Sequence, residues 1–333
     1  MQLPGHLVAA LDTFINGSAD YSGRDEVIAD AVAGFLAEVG VAVTEQLPLP
    51  TLASVTRVTP PTVRGLEPLQ PVLAAKTLEI HAAPERTPIV ETVAGLPREQ
   101  FTWGLHNRDF PTLWATYHLA MASAADGGPI PFPKWRTSVA ADAWQVALGL
   151  ADDSNFDLSG FPTNVEKAAK AEARFLSFFV GNPDGTGPIF DLALAGIDDD
   201  GRCAPTAAGV EVLAALDGWG SQVEAETMAA RREAWIGHLT RWAPADISLF
   251  IVVVKAIADG HDTRDALLLA VAGRYQEWTE SQVSTNTAAA VSRLREVGLI
   301  ERRQRAGRYV LPGPKRWAVS QLASSVSSTK ETA

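Results

Sequence analysis

The sequence has almost no cysteine: Cys203 is the only one in 333 residues. An internal disulfide is therefore excluded, and a metal site built from cysteine thiolates is not expected. No histidine lies close to Cys203 in the sequence, so we expect an unreactive thiol. A chain without disulfides suits a reducing compartment, and we predict that the protein is cytoplasmic.

Long apolar runs are also missing. The most apolar stretch, residues 247–258, is too short to span a bilayer and is interrupted by Lys255. The first residues lack the basic start and the apolar core of a signal peptide. We therefore expect no contact with membranes.

The sequence offers no convincing catalytic or metal-binding pattern. Its six histidines show no ligand spacing, and the glycine-rich stretch 181–188 lacks the Lys-Ser/Thr ending of a phosphate-binding loop. The three aspartates 198–200 stand before Gly201, which is typical of a hairpin turn. An Asn-Arg-Asp string that ends at Asp109 fits an active-site cluster, but we favour a buried arginine–aspartate pair that fixes a helix start. We predict a protein that is not an enzyme, with no cofactor and no metal.

Length and composition predict several globular domains. The chain has 333 residues, of which 47% are hydrophobic and 20% charged, enough for two or three ordinary cores. Helical periodicity dominates, so the expected fold class is mainly α. The breaks in the pattern predict a helical N-terminal domain over residues 1–126, a middle domain over 127–243 and a C-terminal domain over 244–333.

Charge is distributed unevenly along the chain. Residues 281–333 hold nine lysines or arginines and three acidic residues, a net charge of +6. The whole chain carries −11, so residues 1–280 carry −17. A basic segment on an acidic body is typical of a protein that offers one face to phosphates and keeps the remainder away from them.

The basic segment contains the most informative pattern in the chain. Apolar side chains recur at three- and four-residue steps over residues 284–297, which predicts an amphipathic helix whose start Ser284 or Thr285 caps. Gly298 follows at a place where a left-handed residue ends a helix. Residues 299–311 then predict a two-stranded hairpin with arginines at its tip.

This helix and hairpin resemble the recognition helix and the wing of winged helix-turn-helix proteins, such as regulators of the multiple-antibiotic-resistance type. The segment SRLREVGLIERR, residues 292–303, carries the resemblance, which extends over roughly residues 245–323. The resemblance implies a mainly α fold with small β-hairpin wings. It also implies that the third helix, about residues 284–297, enters the major groove of double-stranded DNA, while the wing, about residues 299–311, lies along the backbone or in the minor groove.

The resemblance further implies which residues contact DNA. Helix residues would face base edges, and residues of the wing and the following tail would hold phosphates. The expected contacts are Ser284, Thr285, Asn286, Ala289 and Arg293 on the helix, and Arg302, Arg303, Arg305, Arg308, Lys315 and Arg316 on the wing and tail. The expected groove-facing side is rich in alanine, which predicts weak or shape-based recognition.

Two more patterns concern the middle of the chain. Residues 136–218 repeat the order helix, helix, hairpin and then PTAAGVEVL, which indicates a second, degenerate winged helix. Residues 220–243 predict a long helix in which Met228, Trp235 and Trp242 fall seven apart. We favour packing of this stripe between domains, and a homodimer seam is the alternative.

Together the patterns predict a DNA-binding protein, in the role of a transcription regulator, whose acidic N-terminal part contacts another protein or a ligand. The alternative is a non-catalytic structural subunit of a larger nucleic-acid-handling or defence assembly, with winged helices as docking modules. The acidic body and the missing catalytic residues suit this alternative.

Overall fold

The computed structural model of the chain describes residues 78–91, 106–151, 158–219, 225–303 and 307–312. All of them belong to one compact unit, which spans residues 68–333. The described chain is mainly helical with two small antiparallel sheets, as the expected fold class requires. Most of the expected N-terminal domain, and the whole of the tail after residue 312, lie outside the described residues.

The first part of the described chain forms a central unit, residues 106–219. Its elements are α1 (Phe110–Asp126), β1 (Ile130–Pro131), α2 (Phe132–Gly149), α3 (Ala168–Phe175), a π-helical segment (Leu176–Val180), α4 (Pro188–Asp191), β2 (Ala195–Ile197), β3 (Arg202–Pro205) and α5 (Ala207–Ala215). Strands β1 and β2 both pair antiparallel with β3, so the sheet order is β1-β3-β2. The aspartates 198–200 and Gly201, whose φ is 71°, form the turn between β2 and β3, as predicted.

Helix α1 forms the centre of this unit. Pro111 in its first turn fixes φ at a helical value, and Gly127 ends the helix in the left-handed region with φ 73°. The ring of Trp114 is 1% exposed and lies 5.2 Å from the ring of Phe161 and 6.3 Å from that of Phe175, measured between centroids. Aromatic burial of this kind contributes more apolar area than any other side-chain class, so α1 is held firmly.

The second part of the described chain consists of a long helix and a C-terminal module, residues 244–312. The elements are α6 (Ala225–Trp242), α7 (Pro244–Ala258), α8 (Arg264–Arg274), α9 (Glu280–Glu296), β4 (Glu301–Arg303) and β5 (Arg308–Val310). Strands β4 and β5 form an antiparallel hairpin in which Arg302 lies opposite Tyr309. None of the described helices is long and apolar enough to cross a membrane.

Helix α9 begins earlier than predicted. Thr279 caps it through a reciprocal arrangement: its hydroxyl accepts from the N–H of Gln282, and the Gln282 side chain accepts from the N–H of Thr279. A threonine followed three residues later by glutamine satisfies two free donors at once. The prediction that Ser284 or Thr285 caps the helix is therefore wrong, because both residues lie inside it.

The predicted apolar face of α9 is confirmed. Its members are all buried, and they are Thr287, Ala290, Val291, Leu294 and Val297. Gly298 has φ 67°, as expected of a left-handed stop, and Leu299 and Ile300 turn inward behind it. One hydrophobic core runs from Leu78 to Leu311, across the expected boundaries at residues 126/127 and 243/244.

Candidate nucleic-acid interface and the buried junction beneath it

The exposed face of α9 differs from the predicted one. Ala289 is 6% exposed and Arg293 is 3% exposed, so the prediction that these two residues lie on the outward side is wrong. Ser284, Thr285 and Asn286 remain at the surface. The complete set of outward or partly outward residues from 281 to 295 is Ser281, Gln282, Ser284, Thr285, Asn286, Ala288, Ser292 and Arg295.

Arg293 is buried because two carboxylates bind it. Its Nε donates to Asp109 Oδ1 at 2.8 Å, and its Nη1 donates to Asp246 Oδ2 at 2.5 Å. The guanidinium also lies 5.0 Å from the centroid of the Phe250 ring. Burial lowers the pKa of Arg293, but the charges of the two aspartates outweigh burial and hold the pKa above its ordinary value. Arg293 therefore stays charged and is held by two carboxylates within the chain, although its buried Nη2 has no hydrogen-bond partner among the described residues.

Asp109 receives hydrogen bonds from three parts of the chain. Besides Arg293, it accepts from His106 Nε2 at 3.1 Å and from Trp235 Nε1, on α6, at 2.8 Å. Burial alone would raise the pKa of Asp109, but Arg293 and His106 lower it to about 2. Asp109 is thus a charged carboxylate in a dry site, and each of its donors is needed to offset the cost of its burial.

His106 extends this network to the middle of the π-helical segment, Leu176–Val180. Its Nδ1 lies 3.0 Å from the carbonyl oxygen of Phe178, while its Nε2 faces Asp109. Each ring nitrogen therefore faces an acceptor oxygen. His106 therefore connects the π-helical segment that follows α3 to the start of α1.

Glu296, at the end of α9, caps the start of α1. Its carboxylate accepts from the backbone N–H of Asp109 at 2.5 Å and from that of Phe110 at 3.2 Å. Asp109 itself makes no side-chain cap, so the capping group comes from 187 residues away in the sequence. Burial and the neighbouring charge of Asp109 raise the pKa of Glu296 to about 8, although Arg108 and the two N–H groups lower it.

We call this connected set the junction: His106, Asp109, Trp235, Asp246, Arg293 and Glu296. It joins the start of α1, the middle of α6, the start of α7 and the end of α9. A seventh residue, Arg232 on α6, supports it by donating from Nε to the carbonyl oxygen of Val297 at 2.6 Å. A cation at a helix C-terminus also interacts favourably with the helix dipole.

Gly298→Ala tests how closely Arg232 covers the end of α9. A Cβ at Gly298 would lie 2.9 Å from Arg232 Nη2 and would also force alanine to φ 67°. We expect a loss of unfolding free energy of about 2–3 kcal/mol, above the roughly 1–2 kcal/mol of left-handed strain alone. Gly127→Ala is the matched control, because φ is 73° there and nothing lies within 4 Å of the new Cβ. Equal losses for the two variants in urea unfolding would contradict the contact.

The predicted wing residues are only partly within the described chain. Arg302 is partly exposed, and the Arg308 side chain is 59% exposed and lies 3.5 Å from Asp262 Oδ2. Tyr309, in the middle of β5, is buried and donates its N–H to the carbonyl oxygen of Asp262 at 2.7 Å. The side chain of Arg303, and Arg305, Lys315 and Arg316 altogether, lie outside the described residues.

The positively charged surface of the C-terminal module is smaller than the net charge of residues 281–333 suggests. Arg293 is neutralised by Asp109 and Asp246, and Arg308 is close to Asp262. Over residues 244–312 the sequence holds nine basic and eight acidic side chains. Positive charge is therefore concentrated on the hairpin and at Arg295, and the rest of the C-terminal module, with four basic and seven acidic side chains, is net acidic.

Other candidate sites have structural explanations. The Asn-Arg-Asp string does supply a buried aspartate that pairs with an arginine at a helix start. The arginine is Arg293, however, and the sequence did not predict this partner. Burial raises the pKa of Cys203 to about 12. Among the residues that the structure describes, no three histidine, cysteine or acidic side chains are placed to hold a metal ion. Trp235 is fully buried within the chain, and packing of its stripe between domains stays a prediction.

The sequence contains only a faint signal for the junction. Asp109 and Arg293 are 184 residues apart, and neither lies in a sequence motif that predicts their contact. The hint is that Arg293 and Glu296 flank the apolar position Leu294, at the edge of the buried face. Family models, curated proteins and solved structures were all compared with this chain, and none matches it.

Proposed function

We propose that the C-terminal module is a winged helix-turn-helix that binds duplex DNA through the outward side of α9 and through the β4–β5 hairpin. The order of three helices followed by a hairpin supports this assignment. In such modules the third helix enters the major groove, and the hairpin follows the sugar-phosphate backbone. The remainder of the chain, acidic overall, would contact a protein partner, and the role of a cytoplasmic transcription regulator is part of the same proposal.

One observation carries the proposal. Between its two terminal glutamates, Glu280 and Glu296, the outward side of α9 contains no carboxylate, in a chain whose net charge is −11. Hydroxyl and amide side chains at Ser284, Thr285 and Asn286 can donate to phosphates or to base edges. Ala288 is small enough to let the helix approach the groove closely. This surface therefore lacks the repulsion that most of the chain would exert on DNA.

The junction limits how much sequence the module can discriminate. Arg293, the residue expected to pair with guanine, is bound to Asp109 and Asp246 and does not reach the surface. Asn286 and Arg295 are the outward residues of α9 suited to bidentate base contacts, each contributing roughly 1–3 kcal/mol of discrimination. We expect binding dominated by phosphate contacts and therefore strongly dependent on salt.

Adding negative charge to the outward side of α9 tests the proposal. Ala288→Glu with Ser292→Glu changes two surface positions one helical turn apart, so the fold should tolerate both. We expect at least about a tenfold loss of affinity for a labelled duplex at low salt, because two carboxylates would face phosphates. Fluorescence anisotropy against salt concentration measures the effect.

The matched control adds the same charge to another helix. Gln145→Glu with Leu148→Glu introduces two carboxylates at exposed positions of α2. When both double variants are compared at 0.1 M salt, this one should bind the duplex within about twofold of the unaltered protein, because diffuse charge is screened beyond roughly 10 Å at that salt concentration. If both double variants bind equally well, α9 does not contact DNA.

A second candidate function is a non-catalytic subunit of a larger assembly. The junction favours it, because the chain already uses the end of α9 for an internal contact with α1. In that case the module would serve as a protein-docking surface. Absence of salt-dependent binding to any duplex, by a protein that is folded by circular dichroism, would select this candidate.

A further inference from the structure

Two contacts from the last turn of α9 hold one residue at the start of α1. Arg293 binds the carboxylate of Asp109 through Nε at 2.8 Å, and the carboxylate of Glu296 accepts from the backbone N–H of Asp109. Arg293 and Glu296 are three residues apart, so they lie on the same side of α9. The end of α9 therefore cannot rotate or slide without breaking one of the two contacts.

The same turn carries the outward cation of α9. Arg295 stands directly before Glu296 and is exposed. Successive residues of a helix point about 100° apart, so a rotation of α9 that freed Glu296 would also move Arg295 relative to the remainder of the surface. Arg295 is one of the two outward residues of α9 suited to bidentate base contacts. Contact with DNA at this end of α9 thus depends on the contact with α1.

The junction contains three carboxyl groups, and its cations do not compensate them equally. Asp109 accepts from Arg293 and His106, and Asp246 accepts from Arg293. The hydrogen bonds that the structure describes for the Glu296 carboxylate come from two backbone N–H groups, which carry no net charge. Glu296 is therefore the acid of the junction that gains least from ionisation.

Charged groups act on Glu296 from several elements. Burial and then the charge of Asp109 raise the pKa of Glu296 to about 8, although Arg108 and the two N–H groups lower it. At neutral pH Glu296 holds a proton, and its carbonyl oxygen can still accept an N–H. The other charged or titratable groups in and next to the junction are His106 before α1, Asp246 on α7, Arg232 on α6, and Arg293 and Arg295 on α9 itself.

Loss of the Glu296 proton would place a second negative charge beside Asp109. Two neighbouring carboxylates that are shielded from water repel each other strongly. Glu296 is half-buried as a residue, so its side chain can reach water by leaving the two N–H groups. The first turn of α1 would then lose its cap, since Asp109 makes no side-chain cap. The last turn of α9 would at the same time lose one of its two contacts with Asp109.

We propose that Glu296 is a positioning residue for the DNA-binding face, and that loss of its proton in mildly alkaline solution releases the last turn of α9 and weakens binding to duplex DNA. This proposal rests on the proposed function. It adds that DNA affinity is regulated by pH, through a side chain that holds α9 in place and makes no contact with DNA itself.

Duplex affinity measured against pH tests this regulation. At 0.1 M salt, the dissociation constant of the unaltered protein should increase about five- to tenfold from pH 7 to pH 9, because one proton lost near pH 8 can change it by at most about tenfold over this range. Glu296→Gln resembles the protonated acid and should change less than about twofold. Glu301→Gln, at an exposed position of β4, keeps Glu296 and should follow the unaltered protein. Fluorescence anisotropy with one labelled duplex measures all three.

Hydrogen exchange followed by mass spectrometry tests the release without DNA. At pH 9 the amides in the first turn of α1 and the last turn of α9 should exchange at least about threefold faster in the unaltered protein than in Glu296→Gln, whereas at pH 7 the rates should agree. Comparison of two proteins at one pH cancels the effect of pH on the exchange chemistry. A residue with a merely structural role would give the same ratio of rates at both pH values.

The outcomes separate this proposal from the one on which it rests. If affinity changes with pH in parallel for the unaltered protein and Glu296→Gln, while Ala288→Glu with Ser292→Glu loses affinity, the positioning role is wrong and the C-terminal module still binds DNA. If Ala288→Glu with Ser292→Glu matches its control, the proposed function fails, and the role of Glu296 in DNA binding fails with it even where exchange depends on pH. A decrease in affinity that Glu296→Gln abolishes, together with faster exchange at pH 9, supports both.

Discussion

Replacement of Asp109 by alanine is expected to lower the free energy of unfolding by about 3–5 kcal/mol, because it leaves the buried charge of Arg293 without one of its two partners. The variant also removes the acceptor of the Trp235 indole N–H, which is buried. Urea unfolding at pH 7, followed by far-ultraviolet circular dichroism, measures the loss.

The control for this variant is Asp142→Ala. Asp142 also accepts from a histidine, His118 Nε2, at 2.7 Å, but its side chain is 16% exposed and binds no arginine. We expect a loss of about 1 kcal/mol there, since water can replace part of the interaction. Similar losses at the two aspartates would mean that the junction contributes no more than an ordinary hydrogen bond.

A double-mutant cycle separates the interaction between Asp109 and Arg293 from the cost of burying each of them. Arg293→Met removes the guanidinium and keeps much of the apolar volume, so Asp109→Ala combined with Arg293→Met should cost less than the sum of the two single changes. Replacing both members of a buried ion pair by apolar groups is often nearly neutral. Strict additivity would show that Asp109 and Arg293 do not stabilise each other.

The C-terminal module was largely predictable from local sequence. Helix α8 begins after Thr263, where a hydroxyl caps the chain, and α9 ends at a glycine with φ 67°. Apolar spacing gave the buried side of α9 correctly. These features depend on residues within a turn or two of each other, so one sequence is enough to find them.

The outward side of α9 was not predictable in the same way. An amphipathic pattern identifies the centre of the buried face but leaves the residues at its edges undecided, and Ala289 and Arg293 lie at an edge. Arginine is usually exposed, so exposure was the reasonable expectation. Its burial depends on Asp109 and Asp246, and Asp109 is 184 residues away. No local pattern contains that information.

The net charge of residues 281–333 overstated the extent of the positive surface for a related reason. A net charge counts each arginine once, whatever lies beside it in the fold. Arg293 is cancelled by carboxylates from two other helices, and the start of the segment at residue 281 excludes nearby acids such as Glu277 and Glu280. What remains is a smaller surface, in which the outward side of α9 carries carboxylates only at its two terminal residues, Glu280 and Glu296, and this is the part relevant to DNA.

The unaltered protein is expected to lose stability as the pH rises from about 4.5 to 8, and Glu296→Gln is expected to abolish this loss. Burial and Asp109 raise the pKa of Glu296 from 4.5 to about 8 in the folded chain. Between these values the folded state holds a proton that the unfolded state has lost, so increasing pH favours unfolding. The slope from one such group is at most about 1.4 kcal/mol per pH unit.

The experiment compares unfolding free energies of the two proteins from pH 5 to 8.5. Glutamine resembles the protonated glutamic acid, so the variant should match the unaltered protein near pH 5 and be more stable near pH 8.5. Taking the difference at each pH cancels the titration of other groups, including His238, whose pKa burial lowers to about 4. Glu301→Gln, on the exposed start of β4, is the control for the loss of a surface carboxylate. A constant difference for Glu296→Gln would mean that Glu296 caps α1 as a charged carboxylate, and alkaline conditions would then leave the contact between α9 and α1 intact.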